Sequence, residues 1–372
     1  MKIPLSKPDI SQKEVNLVNE VLNSGWLSMG EKTAEFEDRF KRYFKVKEAI
    51  SVNSGTSGLH LLIRALGIKE GDEVITTPFS FIASTNCILF EKATPVFVDI
   101  DPKTLNIDID KIEEKITKKT KAILPVDIFG QPVNMERIMD IADKYNIKVI
   151  EDACEAIGGE YKGYKAGTLA HGSVFGFFPN KQITTGEGGM VITNDKEIGD
   201  LCRSMKNQGR ASSNSWFQHE RLGYNFRMSE LNAALGVAQM DRLDEILIKR
   251  GKVAKLYNEK LKNIDGIKTP YIDKNVTKMS WFIYTIQVEE GIDRDNLINY
   301  LIEKGIGCKP YFAPIHIQPH IANKLGYREN DFPNTLTVSK RTIALPLYNS
   351  LKEEEIDYIV SKIIKYLKKL SR

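Results

Sequence analysis

Glu48-Ala49-Ile50-Ser51-Val52-Asn53-Ser54-Gly55-Thr56-Ser57-Gly58-Leu59 decides the fold. A short β-rich run ends in a Gly/Ser/Thr loop. A helical pattern follows, with Leu59, Leu61, Leu62, Ile63 and Leu66 on its apolar positions. This strand–loop–helix unit predicts a layered α/β arrangement, provided it recurs. It does recur: strand-like runs follow at 73–77, 95–99, 122–126, 148–151, 174–178 and 190–193. Between them lie amphipathic stretches such as 132–145, where Met135, Ile138, Ile141 and Ala142 repeat at helical spacing. The expectation is a mainly parallel sheet sandwiched by helices.

Further along, residues 229–265 read as one long helical pattern, and the composition shifts near residue 245. Strand (281–288), helix (293–304) and terminal helix (from Lys352) then define a smaller α+β unit. The division expected is a large domain over 1–245, with an N-terminal arm, and a small one over 246–372.

Composition excludes several classes. Of 372 residues, 42% are hydrophobic and 27% charged, the balance of a globular chain. The 53 basic and 49 acidic residues leave a formal charge of only +4, scattered rather than gathered on one face, which argues against nucleic acid as a partner. No apolar run is long enough for a membrane helix. The first eight residues hold no signal region, and Cys87, Cys154, Cys202 and Cys308 form no CxxC pair, so the expected setting is the cytoplasm. His316 and His320 are four apart, but Pro314 and Pro319 prevent a regular helix that would place both on one face, so no metal is expected.

Three segments carry chemistry. The loop Ser54-Gly55-Thr56-Ser57-Gly58, opening a helix after a strand, offers free backbone N–H groups and hydroxyls to a phosphate. Glu151 and Asp152 close an apolar strand, where ligands of open α/β sheets collect, and an Asp there can pair with a cationic ring nitrogen. Lys181 follows a further apolar strand and precedes Thr184-Thr185-Gly186-Glu187-Gly188-Gly189; an amine in that setting suits Schiff-base chemistry. Each segment alone also reads as a cap or a surface loop. Together, in this order, they are the parts of a pyridoxal phosphate site.

With those residues in view, the chain resembles the DegT/StrS family of nucleotide-sugar aminotransferases, which have the aspartate aminotransferase fold (fold type I). The likeness also includes Gly25-Trp26-Leu27-Ser28, Gly130-Gln131-Pro132, Gly223-Tyr224-Asn225-Phe226-Arg227-Met228 and Leu345-Pro346. The resemblance implies that Lys181 links to the cofactor and shuttles the proton, while Asp152 keeps the pyridine nitrogen protonated. It implies Phe81 stacked on the ring, and Gly55, Thr56 and Ser57 at the phosphate. Asn225 would reach the other subunit's cofactor in a homodimer, and Trp26, Ser28, Tyr311 and His316 would face substrate. Pyridoxal 5'-phosphate would alternate with pyridoxamine phosphate, glutamate would donate the amino group, and a nucleotide-linked 4-keto-6-deoxy sugar would accept it at C4 for amino-sugar and surface-polysaccharide synthesis.

Two positions depart from the common pattern. Gly176 stands where many members have a phosphate-binding Ser, and Glu155 where many have Gln or His, although perosamine-synthase-like members look similar with a Glu. A protonated Glu155 donating to the cofactor's phenolic oxygen is the expectation there; the alternative is that it points away, capping the local backbone or meeting a basic residue. Two other readings fit the same framework: a sugar dehydratase of the family, which would carry His in place of Lys181, and a non-catalytic regulatory member, whose site would be eroded.

Overall fold

Strands β1 (Glu48–Val52), β2 (Glu73–Thr76), β3 (Thr94–Phe97), β4 (Thr120–Leu124) and β5 (Lys148–Asp152) are short apolar runs because most of their residues are buried. A computed structural model describes residues 2–211 and 218–370. The short β6 (Glu160–Tyr161) and β7 (Tyr164–Lys165) form a hairpin, and β8 (Gly172–Gly176) and β9 (Gly189–Thr193) return to the main sheet. Its order is β1-β9-β8-β5-β4-β2-β3. The pairs β2–β3, β2–β4, β4–β5 and β5–β8 are parallel, and only β9 runs against its neighbours.

Successive side chains alternate between two cores, as the strand pleat requires. Val74, Leu124, Ile150, Val174 and Val191 enter one cluster. Ile75, Ile123 and Val149 enter a second, and Phe175, Met190 and Ile192 a third, on the opposite side of the sheet. Helices cover both faces. Two of them, α1 (Gln12–Ser24) and α2 (Glu31–Phe44), were not anticipated from the sequence. The Ser11/Glu14 capping box starts α1. Phe36, Phe40 and Phe44, four apart, form the buried stripe of α2.

Helix α3 (Gly55–Ala65) follows β1, α4 (Ala83–Phe90) connects β2 to β3, α5 (Met135–Tyr145) precedes β5, and α6 (Lys196–Lys206) follows β9. The stretch expected as one helix is two, α7 (Glu230–Asp241) and α8 (Leu243–Leu261), broken at Arg242. Leu243, Ile246 and Leu247 of α8 pack with the main sheet, whereas Val253, Ala254, Tyr257 and Leu261 pack into a separate cluster.

That cluster surrounds a second sheet. Its strands are β10 (Ile267–Lys268), β12 (Tyr284–Val288) and β13 (Thr342–Leu345); β11 (Val276–Lys278) instead pairs with β6. Helices α9 (Arg294–Glu303), α10 (Pro319–Leu325), α11 (Pro333–Ser339) and α12 (Glu353–Leu370) complete the chain. Ile356, Ile359, Val360, Ile363 and Leu367 put one apolar stripe of α12 into this core, each burial contributing about 1.5–3 kcal/mol. Ile3 joins the same core by pairing with Ile306. Among the described residues, no helix is long and apolar enough to cross a membrane.

Candidate active site

The carboxyl ends of β1, β2, β4, β5 and β8 open on a common edge, and a cavity of about 490 Å³ lies there. Gly55, Thr56, Phe81, Asp152, Glu155, Lys181 and Tyr311, all expected from the sequence, line it.

The first wall is the amino end of α3. Ser54 caps it, its Oγ accepting from Ser57 N at 3.1 Å, and Ser57 Oγ donates to Asn53 Oδ1 at 2.7 Å. This leaves the first-turn N–H groups around Gly55 and Thr56, with the positive end of the helix dipole, toward the cavity. Only glycine fits at position 189: a Cβ would stand 2.7 Å from the carbonyl carbon and oxygen of Ser54. The Gly-rich segment after Lys181 thus lets the loop before α3 lie directly on the start of β9.

Asp152, at the end of β5, is buried. Its Oδ2 accepts from Ser84 Oγ at 2.8 Å and its Oδ1 from Cys154 N at 3.2 Å, so the carboxylate is fixed. Behind it lie two more buried acids. Burial pushes Asp127 well up, with the neighbouring Glu151 adding to the effect, and burial lifts Glu151 to about 7.

Lys181 sits on the tight connection between β8 and β9. Phe177 N donates to Gly188 O, and both Thr185 N and Thr184 Oγ1 donate to Phe177 O. The amine lies 3.3 Å from Glu155 Oε1 and 3.9 Å from the centre of the Phe282 ring. Glu155 Oε2 accepts from Phe129 N at 2.9 Å. Burial pushes the Glu155 carboxyl up, while Lys181 and the Phe129 N–H draw it down. Both carboxyl oxygens therefore face donors here, so Glu155 caps the local backbone and meets a basic residue, while its carboxyl stays raised overall.

The missing hydroxyl at Gly176 has a steric counterpart. Cys154 Sγ fills the space between Gly55 and Gly176; a Cβ on either would come within 2.9 and 3.3 Å of the sulphur, respectively. Burial pushes this thiol well up, which keeps it neutral. Asn180 Oδ1, also on the cavity wall, is buried and meets no donor among the described residues.

Five expected residues lie off the cavity lining. Ser57 is turned into the α3 cap. Trp26 is 64% exposed, and Ser28 pairs through its backbone with Ser229. Asn225 is exposed, next to Tyr224 and Phe226, whose rings stack on each other. His316 is the clearest departure: it is fully buried, its ring against Phe332 and its Nε2 3.1 Å from the Glu329 carbonyl oxygen. The turn after Pro314 carries it away from Tyr311 and into a separate apolar cluster. Conversely, Ser84, Cys154, Phe282 and Phe312 line the cavity without having been singled out. Ser84 lies three residues beyond Phe81 at the start of α4, the one sequence cue that could have found it.

This fold and this constellation agree with what the chain is similar to. Residues 8–364 match the DegT/DnrJ/EryC1/StrS aminotransferase family. The GDP-perosamine synthase of Escherichia coli O157:H7 is 40% identical over 362 residues, covering 97% of each chain. Among solved structures, PseC of Helicobacter pylori, an aminotransferase involved in the biosynthesis of pseudoaminic acid, superposes with a TM-score of 0.94 at 29% identity, covering 98% of this chain and 99% of that one. The PMP form of the putative sugar aminotransferase Spr1654 of Streptococcus pneumoniae also gives 0.94, at 28% identity, covering 99% of this chain and all of the other. The chain belongs to the DegT/DnrJ/EryC1/StrS aminotransferase family.

Proposed function

We propose that the enzyme moves the amino group of glutamate to the ketone carbon of a nucleotide-linked 4-keto-6-deoxy sugar, at C4, releasing 2-oxoglutarate. The observation that carries this reading is the convergence of the Lys181 amine, the Asp152 carboxylate and the amino end of α3 on one cavity. Nucleotide linkage is supported by the relative named GDP-perosamine synthase and by the sugar aminotransferases among the solved structures.

The residues present fit pyridoxal phosphate. An anionic group suits the α3 amino end, a protonated ring nitrogen suits Asp152, and the unpartnered Asn180 Oδ1 leaves an acceptor free for a further donor. When bound, the cofactor supplies a carbonyl that takes up the amino group and a ring that accepts electrons. The chain's own groups do the rest. Asp152, held by Ser84 and the Cys154 N–H, keeps its charge aimed at one atom. Lys181 would move a proton between the cofactor's C4′ and the sugar carbon, and Glu155 meets the Lys181 amine whenever that amine is free. Phe81, exposed at 61% yet lining the cavity, offers a ring face for stacking. Gly176 brings no hydroxyl, so phosphate is held by the backbone N–H groups and Thr56, with Ser57 acting through the cap.

A homodimer belongs to this reading. Trp26, Phe81, Phe178 and Leu222 are each more than half exposed, and Asn225 is exposed too. A second copy would cover these groups and bring Asn225 to its phosphate. Such an enzyme works in the cytoplasm, where nucleotide sugars and glutamate meet. The test is a panel of UDP-, GDP- and dTDP-linked keto sugars, each with glutamate, followed by NMR of the product. An amine at C4 supports the reading, an amine at C3 restricts it to sugar amination, and loss of oxygen without gain of nitrogen replaces it with dehydration. Lys181→Ala should abolish turnover in each case.

A further inference from the structure

Arg250 of α8 is 3% exposed, and no carboxylate among the described residues pairs with it. Burial draws its basicity down to about 10. A guanidinium without a counter-ion is costly to bury, so what it holds is informative. Its Nε donates to the Trp281 carbonyl and its Nη2 to the Phe282 carbonyl, both at 2.5 Å. These carbonyls lie just ahead of β12, whose ladder begins at Tyr284.

The same short segment is pinned from the other side. Ser280 N donates to Gly130 O at 3.0 Å and Ser280 Oγ to Ile157 O at 2.6 Å. Gln182 Nε2 donates to Ser280 Oγ at 2.7 Å and to Glu155 O at 2.6 Å. Gln182 adjoins Lys181, and Glu155 is the residue that faces the Lys181 amine. Between these anchors the Phe282 ring enters the cavity wall, 3.9 Å from Lys181 Nζ. An aliphatic side chain at 250 could fill the space but could not bind both carbonyls.

We propose that Arg250 is a positioning residue for Lys181: by gripping the carbonyls of Trp281 and Phe282 it fixes the ring on which the amine rests. This rests on Lys181 being the reactive amine of the proposed function. The role is exerted through Phe282; Arg250 itself does not touch the amine.

The experiment needs no turnover. Apo-protein is treated with a trace of acetic anhydride, and labelling of Lys181 is compared by peptide mass spectrometry with that of the exposed Lys118 in the same sample. A ring face attracts the ammonium form, so releasing the ring should raise relative labelling of Lys181 about threefold. Phe282→Leu and Arg250→Met should each do so, and the double variant should add nothing to Phe282→Leu alone. Arg250→Lys, reaching one carbonyl at most, should fall between wild type and Arg250→Met.

Wild-type labelling in a folded Arg250→Met protein overturns the proposal, as does an additive double variant. If Arg250→Met does not fold, Arg250→Lys decides: a lowered melting temperature with unmoved Lys181 labelling makes Arg250 a residue of the fold only. Borohydride reduction of wild-type protein mixed with pyridoxal phosphate separates this from the reading beneath it. A pyridoxyl group on Lys181 with unmoved labelling in the variants removes the positioning role alone; a pyridoxyl group on another lysine removes both.

Discussion

Glu155 Oε1 lies 3.3 Å from Lys181 Nζ, with the Glu155 side chain buried and that of Lys181 nearly so. The pair is oriented from three directions: Phe129 N–H on the second carboxyl oxygen, the Phe282 ring at the amine, and Gln182 on the Glu155 backbone. Removing one partner of a buried pair leaves the other uncompensated, a larger loss than the pair's own strength. Glu155→Gln keeps an acceptor toward the amine and should retain most activity. Glu155→Leu should lower kcat/KM by about tenfold or more. It should also shift the pH at which the bound cofactor's absorbance changes downward by about one unit, because an anion beside the amine is gone. An unchanged spectral titration would show that this carboxyl does not act on the cofactor-linked nitrogen.

Ser84 is expected to matter through Asp152. Its hydroxyl donates to Asp152 Oδ2 at 2.8 Å inside the protein, and hydrogen bonds to charged groups contribute about 1.5–3 kcal/mol. Ser84→Ala should therefore weaken pyridoxal phosphate binding about tenfold or more, measured by titrating apo-protein and following fluorescence. Its melting temperature without cofactor should fall as well, because the same buried bond is present in the cofactor-free fold. Equal affinity in the variant would leave Asp152 sufficiently held by the Cys154 N–H alone.

Gly189→Ala tests the contact between the Lys181 connection and the loop before α3. The new Cβ would meet Ser54 C and O at 2.7 Å and Gly55 N at 2.8 Å, all of them backbone atoms. Relief requires moving the amino end of α3, so stability should fall by about 1–3 kcal/mol and cofactor affinity should fall with it. A variant with wild-type urea midpoint and wild-type affinity would mean that this loop is free to shift.

Burial lifts Glu151 from its ordinary 4.5 to about 7. Between those values the folded protein keeps a proton that the unfolded chain releases. The stability tied to it is thus fully present below about 4.5 and is lost as pH rises through about 7. Asp127, pushed up by burial and by Glu151, acts with the same sign. Glu151→Gln should therefore narrow the difference in urea midpoint between pH 5 and pH 8, without abolishing it. A difference as large as in wild type would assign the pH dependence elsewhere.

The main sheet was legible in the sequence because its strands are buried on both faces and so appear as unbroken apolar runs, such as Ala122-Ile123-Leu124. Helix α1 was hard to see because only Glu14 and Val21 of it are buried, whereas the Phe36, Phe40 and Phe44 spacing of α2 was a readable signal that went unused. Strand boundaries moved where the ladder, and not hydrophobicity, sets the end: Trp281, Phe282 and Ile283 are apolar but precede the first paired residue of β12. In the site, Thr56, Asp152 and Lys181 could be read because each lies in or just beyond the segment that ends an apolar strand. Phe282 and Phe312 could not, since they reach the cavity by packing from distant segments, Phe312 against Phe129. His316 shows the converse. Its closeness to Tyr311 in sequence carried no information about direction once Pro314 had turned the chain.

The most direct test is transfer of nitrogen itself. The purified protein, with pyridoxal phosphate, would be given [15N]glutamate and a nucleotide-linked 4-keto-6-deoxy sugar, and the products examined by NMR and mass spectrometry. Amination at C4 predicts one 15N atom on the sugar ring at C4 for each 2-oxoglutarate formed, and neither product with Lys181→Ala. A sugar that loses oxygen and gains no 15N, or 2-oxoglutarate formed at the same rate with the sugar left out, would contradict it.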